Sequence, residues 1–370
     1  MIAYYLPQFH ETPENNDWWG KGFTEWTNTK SAKPLFPGHY QPRIPYRENY
    51  YDLKDVNTLS EQAKLAIKYG IDAFCIYHYW FKGKKLLYEP VEIFRDTPSV
   101  RITYCLSWAN EPWTRAWNGK KRQVLIDQEY GSEKDWTEHF EYLSGFFHDK
   151  RYLTVNDKPM MIIHRPAHIG KRYSEMIDLW DKLAKEHGFD GLYMVQTLNG
   201  FEKKLLPGFD AAIEYEPMYT IKHSLPFNIK MLRYFKALSN RAFSKFGIQW
   251  TYLLDTIGYD EVWKAIIKRQ AESTYGKTTY PGAFVDWDNT SRRGGKATIF
   301  LGATPEKFLY YFKNTLIAAR KHYQSDLVFI NAWNEWAEGT YLEPDERYQV
   351  SYLEALKKAR QEFEESQYNE

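Results

Sequence analysis

The sequence predicts a (β/α)8 barrel, a TIM barrel, and three observations predict it. Short apolar, β-branched or aromatic runs recur at 2–6, 71–79, 101–108, 159–164, 191–197, 209–214, 282–287 and 327–333. Between most of them lie stretches of helical period, at 55–69, 135–148, 173–187 and 304–322, with another at 351–364 after the last run. Strands that alternate with helices argue for parallel βαβ units, and eight such strands close a barrel. The third observation is that every run ends in polar residues. A doubly wound open sheet would need a nucleotide crevice, but Gly20-Lys-Gly22 lacks the third glycine and follows no strand directly.

The first run leads into residues 7–54, rich in Pro, Trp, Tyr and Asn, and the sixth into 217–281. Both connections exceed ordinary βα loops and should rise over the C-terminal mouth, where such barrels build their sites. No boundary interrupts the alternation, so 1–370 reads as one barrel domain with two long insertions. Within the second, 228–246 is basic and amphipathic, with Lys230, Arg233, Lys236, Arg241 and Lys245 among apolar residues. A solvated helix face is the preferred reading, ahead of peripheral membrane contact.

Composition narrows the chemistry. The net charge of +1 gives no global field for nucleic acid, and no partner of that kind is expected. No run of about 18 apolar residues suggests a membrane span. Cys75 and Cys105 lie in apolar runs and read as buried thiols of a reducing compartment; no leader-like segment is present at Met1. Cytoplasm is the expectation, with periplasm or secretion if a leader was removed. The ten His form no zinc pattern, and neither metal nor cofactor is called for. Nothing in the sequence addresses oligomeric state. Aromatic residues, however, reach 18%, with 14 Trp, 30 Tyr and 22 Phe. Many stand beside Asn, Gln, Glu and His, the pairing that suits sugars, which have apolar faces and a hydroxyl rim.

Polar residues just after each strand should converge on the mouth. They are Gln8 and His10; His78 and Trp80; Trp108, Asn110 and Glu111; His164 and Arg165; Gln196 and Asn199; Glu214 and Glu216; Asp286, Asp288 and Asn289; and Asn334, Glu335 and Glu338. The last strand ends in Asn331-Ala-Trp-Asn-Glu-Trp-Ala-Glu-Gly-Thr340. Glu335 and Glu338, three apart at a strand end, can face one cavity, and two carboxylates of different pKa are what glycosidic chemistry needs. Trp333 and Trp336 would desolvate one of them. Arg292 and Arg293 could hold a phosphate or acidic sugar, or could orient those carboxylates; both readings stay open.

Several blocks carry a family resemblance. Tyr4-Tyr-Leu-Pro-Gln-Phe-His10, Asn16-Asp-Trp-Trp-Gly-Lys-Gly-Phe-Thr-Glu-Trp26, Gly38-His-Tyr-Gln-Pro42, His78-Tyr-Trp-Phe81, Trp108-Ala-Asn-Glu111 with Trp113-Thr-Arg115, Trp287-Asp-Asn289 and Trp333-Asn-Glu-Trp-Ala-Glu-Gly-Thr340 resemble the WbsX-type family, often labelled glycosyltransferases. That family is similar in fold and motif to glycoside hydrolase family 99, endo-α-mannosidases and endo-mannanases. The resemblance implies Glu338 as general acid/base and Glu335 as the base acting on the sugar 2-hydroxyl, with retention. Ala337 stands where family 99 has His. Strand-end position and the resemblance together give the expected sugar contacts: Tyr5, Gln8, His10, Trp26, Gln41, His78, Trp80, Trp108, Asn110, Glu111, Trp113, Arg115, His164, Glu214, Asp288, Asn289, Arg292, Asn334 and Trp336. An endo-acting glycoside hydrolase on an α-linked bacterial polysaccharide or oligosaccharide is therefore expected. A glycosyltransferase or transglycosylase of surface-polysaccharide assembly is the alternative.

Overall fold

The computed structural model describes residues 1–114, 124–244, 251–272 and 277–368. The barrel wall is built from β1 (Ile2–Tyr5), β2 (Ala73–Phe81), β3 (Thr103–Trp108), β4 (Lys158–Ile163), β5 (Tyr193–Leu198), β6 (Ala211–Glu214), β7 (Thr278–Tyr280 and Gly282–Phe284) and β8 (Phe329–Asn331). Neighbours in sequence pair in parallel from β1 to β6, as where Cys75 lies opposite Cys105. β1 also pairs with β8, through Ile2↔Phe329.

β7 closes the ring in two halves. Thr278–Tyr280 pairs with β6 and Gly282–Phe284 with β8. Pro281, with no N–H to donate, separates them, while its carbonyl accepts from the Phe329 N–H at 3.1 Å. The next residue has to be glycine, because a Cβ at Gly282 would lie 1.8 Å from the Glu214 carbonyl oxygen. The result is the (β/α)8 barrel that the alternating pattern predicts.

Helices cover the outside. Val56–Tyr69 follows β1; the Asp55 side chain caps it by accepting from Asn57 N–H, and Gly70 ends it in the left-handed region. Glu133–Phe147 and Tyr173–Glu186 follow β3 and β4, and Pro305–Ala318 follows β7. The two long connections carry helices of their own. Residues 7–54 hold Pro13–Trp19 and Glu25–Ser31. Residues 217–281 are more than an insertion, because they contain the barrel helix Tyr259–Glu272. Its Trp263 stacks on Phe284 of β7 at 4.8 Å and on Tyr311 at 5.4 Å.

Helix Phe227–Ser244 corrects a second expectation. Its basic side is partly spent on the body of the protein: Arg233 pairs with Asp255 at 2.7 and 2.6 Å, and Lys236 donates to Thr256 at 3.1 Å. The exposed residues include Phe227, Tyr234, Phe235 and Leu238. Among the described residues no helix is long and apolar enough to cross a membrane.

Candidate active site

After β8 the chain folds back in a short hairpin. Asn334 pairs with Tyr341 and Glu335 with Thr340, around a turn at Trp336–Glu338. Gly339 has φ 66°, and a Cβ there would lie 2.8 Å from the Asp288 carbonyl oxygen. Glycine thus lets the turn press against the segment after β7, where the Asp288 N–H donates to the Glu338 carbonyl at 2.8 Å. Asn334 fastens the hairpin to β1: its Oδ1 accepts from Leu6 N–H at 2.7 Å and its Nδ2 donates to Leu6 O at 3.0 Å. Trp336 is sealed beneath, donating to Glu343 at 2.6 Å and stacked on Tyr341 at 3.8 Å.

The two glutamates of this hairpin meet at Arg292. Its Nη1 lies 2.7 Å from Glu338 Oε1 and its Nη2 3.3 Å from Glu335 Oε2, while Nε donates to Glu25 Oε1 at 2.9 Å. Three carboxylates share one guanidinium, whose planar fork fits them edge on. Of the two open readings of Arg292, the geometry shows orientation of the carboxylates.

Burial and mutual repulsion work against the charged forms of the two glutamates of the hairpin. Burial raises the pKa of Glu335, the Glu338 charge adds to this, and Arg292 only partly offsets it. Burial likewise raises Glu338, against the pull of Arg292. Their surroundings differ: the Glu335 side chain is 6% exposed and that of Glu338 21%. Tyr77, Tyr79 and Tyr215 face Glu335, and burial raises their phenol pKa values, followed by nearby glutamates for Tyr79 and Tyr215 and by Tyr215 and then Glu335 for Tyr77. The hydroxyls of Tyr77 and Tyr215 are 2.8 Å apart.

Glu25 also lines a shallow open cleft, with Trp19, Phe23 and Trp113 as apolar walls and Gln8 and Asn28 as polar ones. Flat rings beside amide and carboxylate groups suit a sugar. Among the described residues, no group of three or more His, Cys, Asp or Glu is arranged to hold a metal ion.

Gln8 and Trp113 line this cleft, and Arg292, Glu335 and Glu338 form the carboxylate cluster that meets it through Glu25. His164 lies beside Tyr215, ring centroids 5.5 Å apart. Glu111 is half-exposed at the rim and paired with Arg165. Arg115 lies outside the described residues.

Five of the other expected sugar contacts are placed elsewhere by strand parity, since successive side chains of a strand point to opposite faces. On β2, Tyr77 and Tyr79 face inward. His78 and Trp80 therefore face the helices: His78 lies 2.8 Å from His139, and Trp80 stacks on the same ring at 4.6 Å. Burial lowers the His78 pKa to about 3. Trp108 packs with that cluster, 4.7 Å from His139. On β1, Tyr4 faces inward, while Tyr5 donates to Gln62 of the first outer helix at 2.6 Å. On β6, Glu214 is held by Arg269 at 2.8 Å and by Tyr323 at 2.9 Å, beyond the mouth.

The remaining residues are spent on the fold. His10 is fully buried, and burial lowers its pKa to about 4. Trp26 packs on Phe9 at 4.6 Å and donates to Tyr51 O at 2.9 Å. Asn110 binds the Arg165 backbone at 2.7 and 2.8 Å. Asn289 accepts from Thr298 N–H at 2.9 Å. Gln41 donates to Asp288 at 2.7 Å, and both Asp288 oxygens are filled by protein donors. Asn334 and Trp336 are occupied as described above.

Four residues of this region were not anticipated as site residues: Glu25, Tyr77, Tyr79 and Tyr215. The alternation in Ala73–Phe81, anchored on the inward Cys75, carried the tyrosine assignment; the buried run on both faces hid it. Glu25 stands in a long connection, and no local pattern ties it to Arg292.

Comparison with known proteins agrees with this architecture. The Glycosyltransferase WbsX family matches residues 1–356, and the chain belongs to that family. It is 36% identical over 363 residues to the protein WxcX of Xanthomonas campestris pv. campestris. The match covers 97% of this chain and 49% of WxcX, so the chain spans about half the length of the curated relatives it matches. Among solved structures, a glycoside hydrolase-like protein superposes with TM-score 0.61 at 14% identity, covering 97% of this chain and 92% of that one. The GH99 endo-alpha-mannosidase from Bacteroides thetaiotaomicron gives TM-score 0.53 at 14% identity, covering 99% and 98%. Likeness at this identity shows the shared barrel fold.

Proposed function

We propose that this member of the WbsX family is a glycoside hydrolase that cleaves an α-linked bacterial polysaccharide or oligosaccharide within the chain, with retention. The observation that carries the reading is the Arg292 cluster: Glu335 and Glu338 held on one guanidinium, next to the ring-walled cleft that Glu25 lines. Two neighbouring carboxyl groups whose pKa values burial raises can exchange protons with a leaving oxygen and with a sugar hydroxyl. Glu338, the more exposed, is assigned to the leaving group as general acid and then base. Glu335, deeper and ringed by phenols, is assigned as base toward the sugar 2-hydroxyl, a weak acid that a carboxylate of raised pKa accepts from more readily. Gln8, Trp113, Glu111 and His164 are assigned to the substrate.

The family's description favours a second reading, glycosyl transfer. Incubation with a panel of bacterial capsular and O-antigen polysaccharides, without any donor, separates the two. New reducing ends are expected. Product that forms only when a nucleotide-sugar is added would replace hydrolysis by transfer.

A further inference from the structure

A second cleft, of about 280 Å³, opens beside the segment that carries Arg292. None of the three carboxylates on that arginine lines it; Asp286 and Asp288 do, together with Arg43, Arg347 and the rings of Tyr40 and Tyr348. Nothing assigned so far uses it.

Its hydrogen-bonding capacity is one-sided. Asp288 Oδ1 accepts from the Thr290 N–H and hydroxyl, and Oδ2 accepts from His39 and Gln41, both at 2.7 Å. His39 Nδ1 itself accepts from Leu35 N–H at 3.0 Å, which leaves the proton on Nε2 and the ring neutral. Asp286 accepts from Trp287 N–H and from Arg43 Nη2, both at 2.8 Å. The carboxylate oxygens are therefore filled by protein donors, and Arg43, 2.8 Å from Asp286 and 3.9 Å from Asp288, is the cation beside both.

Donors remain. Arg43 is only 7% exposed, and its Nε has no acceptor among the described residues. The Arg347 guanidinium stands 5.0 Å over Tyr40 and 5.2 Å over Tyr348, and makes no ion pair among the described residues. Thr304, the N-cap of the 14-residue helix Pro305–Ala318, also lines the cleft, so the positive end of that helix faces it. Guanidinium groups offer only donors and pair best with a planar carboxylate, while ring faces suit the apolar side of a sugar.

We propose that this second cleft binds a carboxylate-bearing sugar unit, so that the glycan acted on is acidic. The proposal rests on the carbohydrate-substrate reading above and deepens it to a substrate class. Arg347, exposed and without an ion pair among the described residues, selects for the acidic unit, and the cleft engages it away from the cleavage point.

Calorimetric titration of the full chain with tetragalacturonate and with mannotetraose tests this. Tetragalacturonate should bind about tenfold tighter or more, as a charge-assisted contact allows. Arg347→Gln should abolish that preference, and Arg347→Lys should keep much of it at an unchanged melting temperature. Equal affinity for the two glycans, a preference that survives Arg347→Gln, or no binding of either overturns the proposal. So does inorganic phosphate that binds as tightly as tetragalacturonate and depends equally on Arg347, because the site would then be one for a free anion. If donor-free cleavage fails while the Arg347-dependent preference persists, the hydrolase reading falls and the acidic-glycan site stands.

Discussion

Arg292 and Arg269 hold the same kind of cluster, and the Arg292 cluster meets an open cleft through Glu25. Arg269 grips Glu214 at 2.8 Å and Glu216 at 2.5 Å, as Arg292 grips Glu25, Glu335 and Glu338. Glu214 and Glu216 stand at the end of β6, and Glu335 and Glu338 in the hairpin after β8. But the Glu214 and Glu216 side chains are 0% exposed, locked between the sheet and the helix Tyr259–Glu272, whereas Glu338 is 21% exposed. A buried ion pair with no access holds structure; the same chemistry beside a cleft can exchange protons. Exposure and strand parity, rather than residue type, separate them.

Substitutions can break or sharpen that contrast. The largest effect is expected from Glu335→Gln, which should lower reducing-end release by about a hundredfold to ten-thousandfold. In the Arg269 cluster, Glu214→Ala leaves a buried cation short of a partner and should cost about 3–5 kcal/mol in urea unfolding. Turnover per folded molecule should survive. If Glu214→Ala instead abolishes turnover in folded protein, the distinction between the clusters fails.

Arg292→Lys keeps the charge but loses the fork that reaches three carboxylates. Turnover should fall about tenfold, read as kcat at saturating polysaccharide; a wild-type value would free Arg292 from any orienting role. Tyr79→Phe removes the phenol facing Glu335 and should cost a few-fold, on the order of one hydrogen bond.

The smallest effect concerns pH. Burial raises Glu335 and Glu338, so the folded state keeps protons that the unfolded chain releases. Their stabilising share is full below the ordinary carboxylate value of about 4.3 and is lost as pH rises through the raised values. Glu335→Gln removes its part, so its urea midpoint should decline less than that of wild type from about pH 5 to about pH 9. Equal declines would mean that Glu335 is not a buried proton store.

Much of this was legible in the chain. All eight strands and the main outer helices follow from the apolar runs and from caps such as Asp55 and Gly70. The Glu335–Glu338 element announced itself by position and composition. Parity within buried strands was harder to read, because β1 and β2 are apolar on both faces; Tyr5, His78 and Trp80 were thus given to the mouth instead of Tyr77 and Tyr79. The helix Tyr259–Glu272 was hidden inside a connection read as an insertion, though Val262, Trp263 and Ile266 have helical spacing. The contact of Glu25 with Arg292 spans 267 residues and leaves no trace in local pattern.

The central claim is that Glu335 and Glu338 act together at one cleft. Single-turnover release of reducing ends, measured on the first polysaccharide cleaved for wild type, Glu335→Gln and Glu338→Gln, tests it most directly. The account predicts at least about a hundredfold loss in each variant, with polysaccharide affinity retained. Wild-type rates in either variant would contradict it.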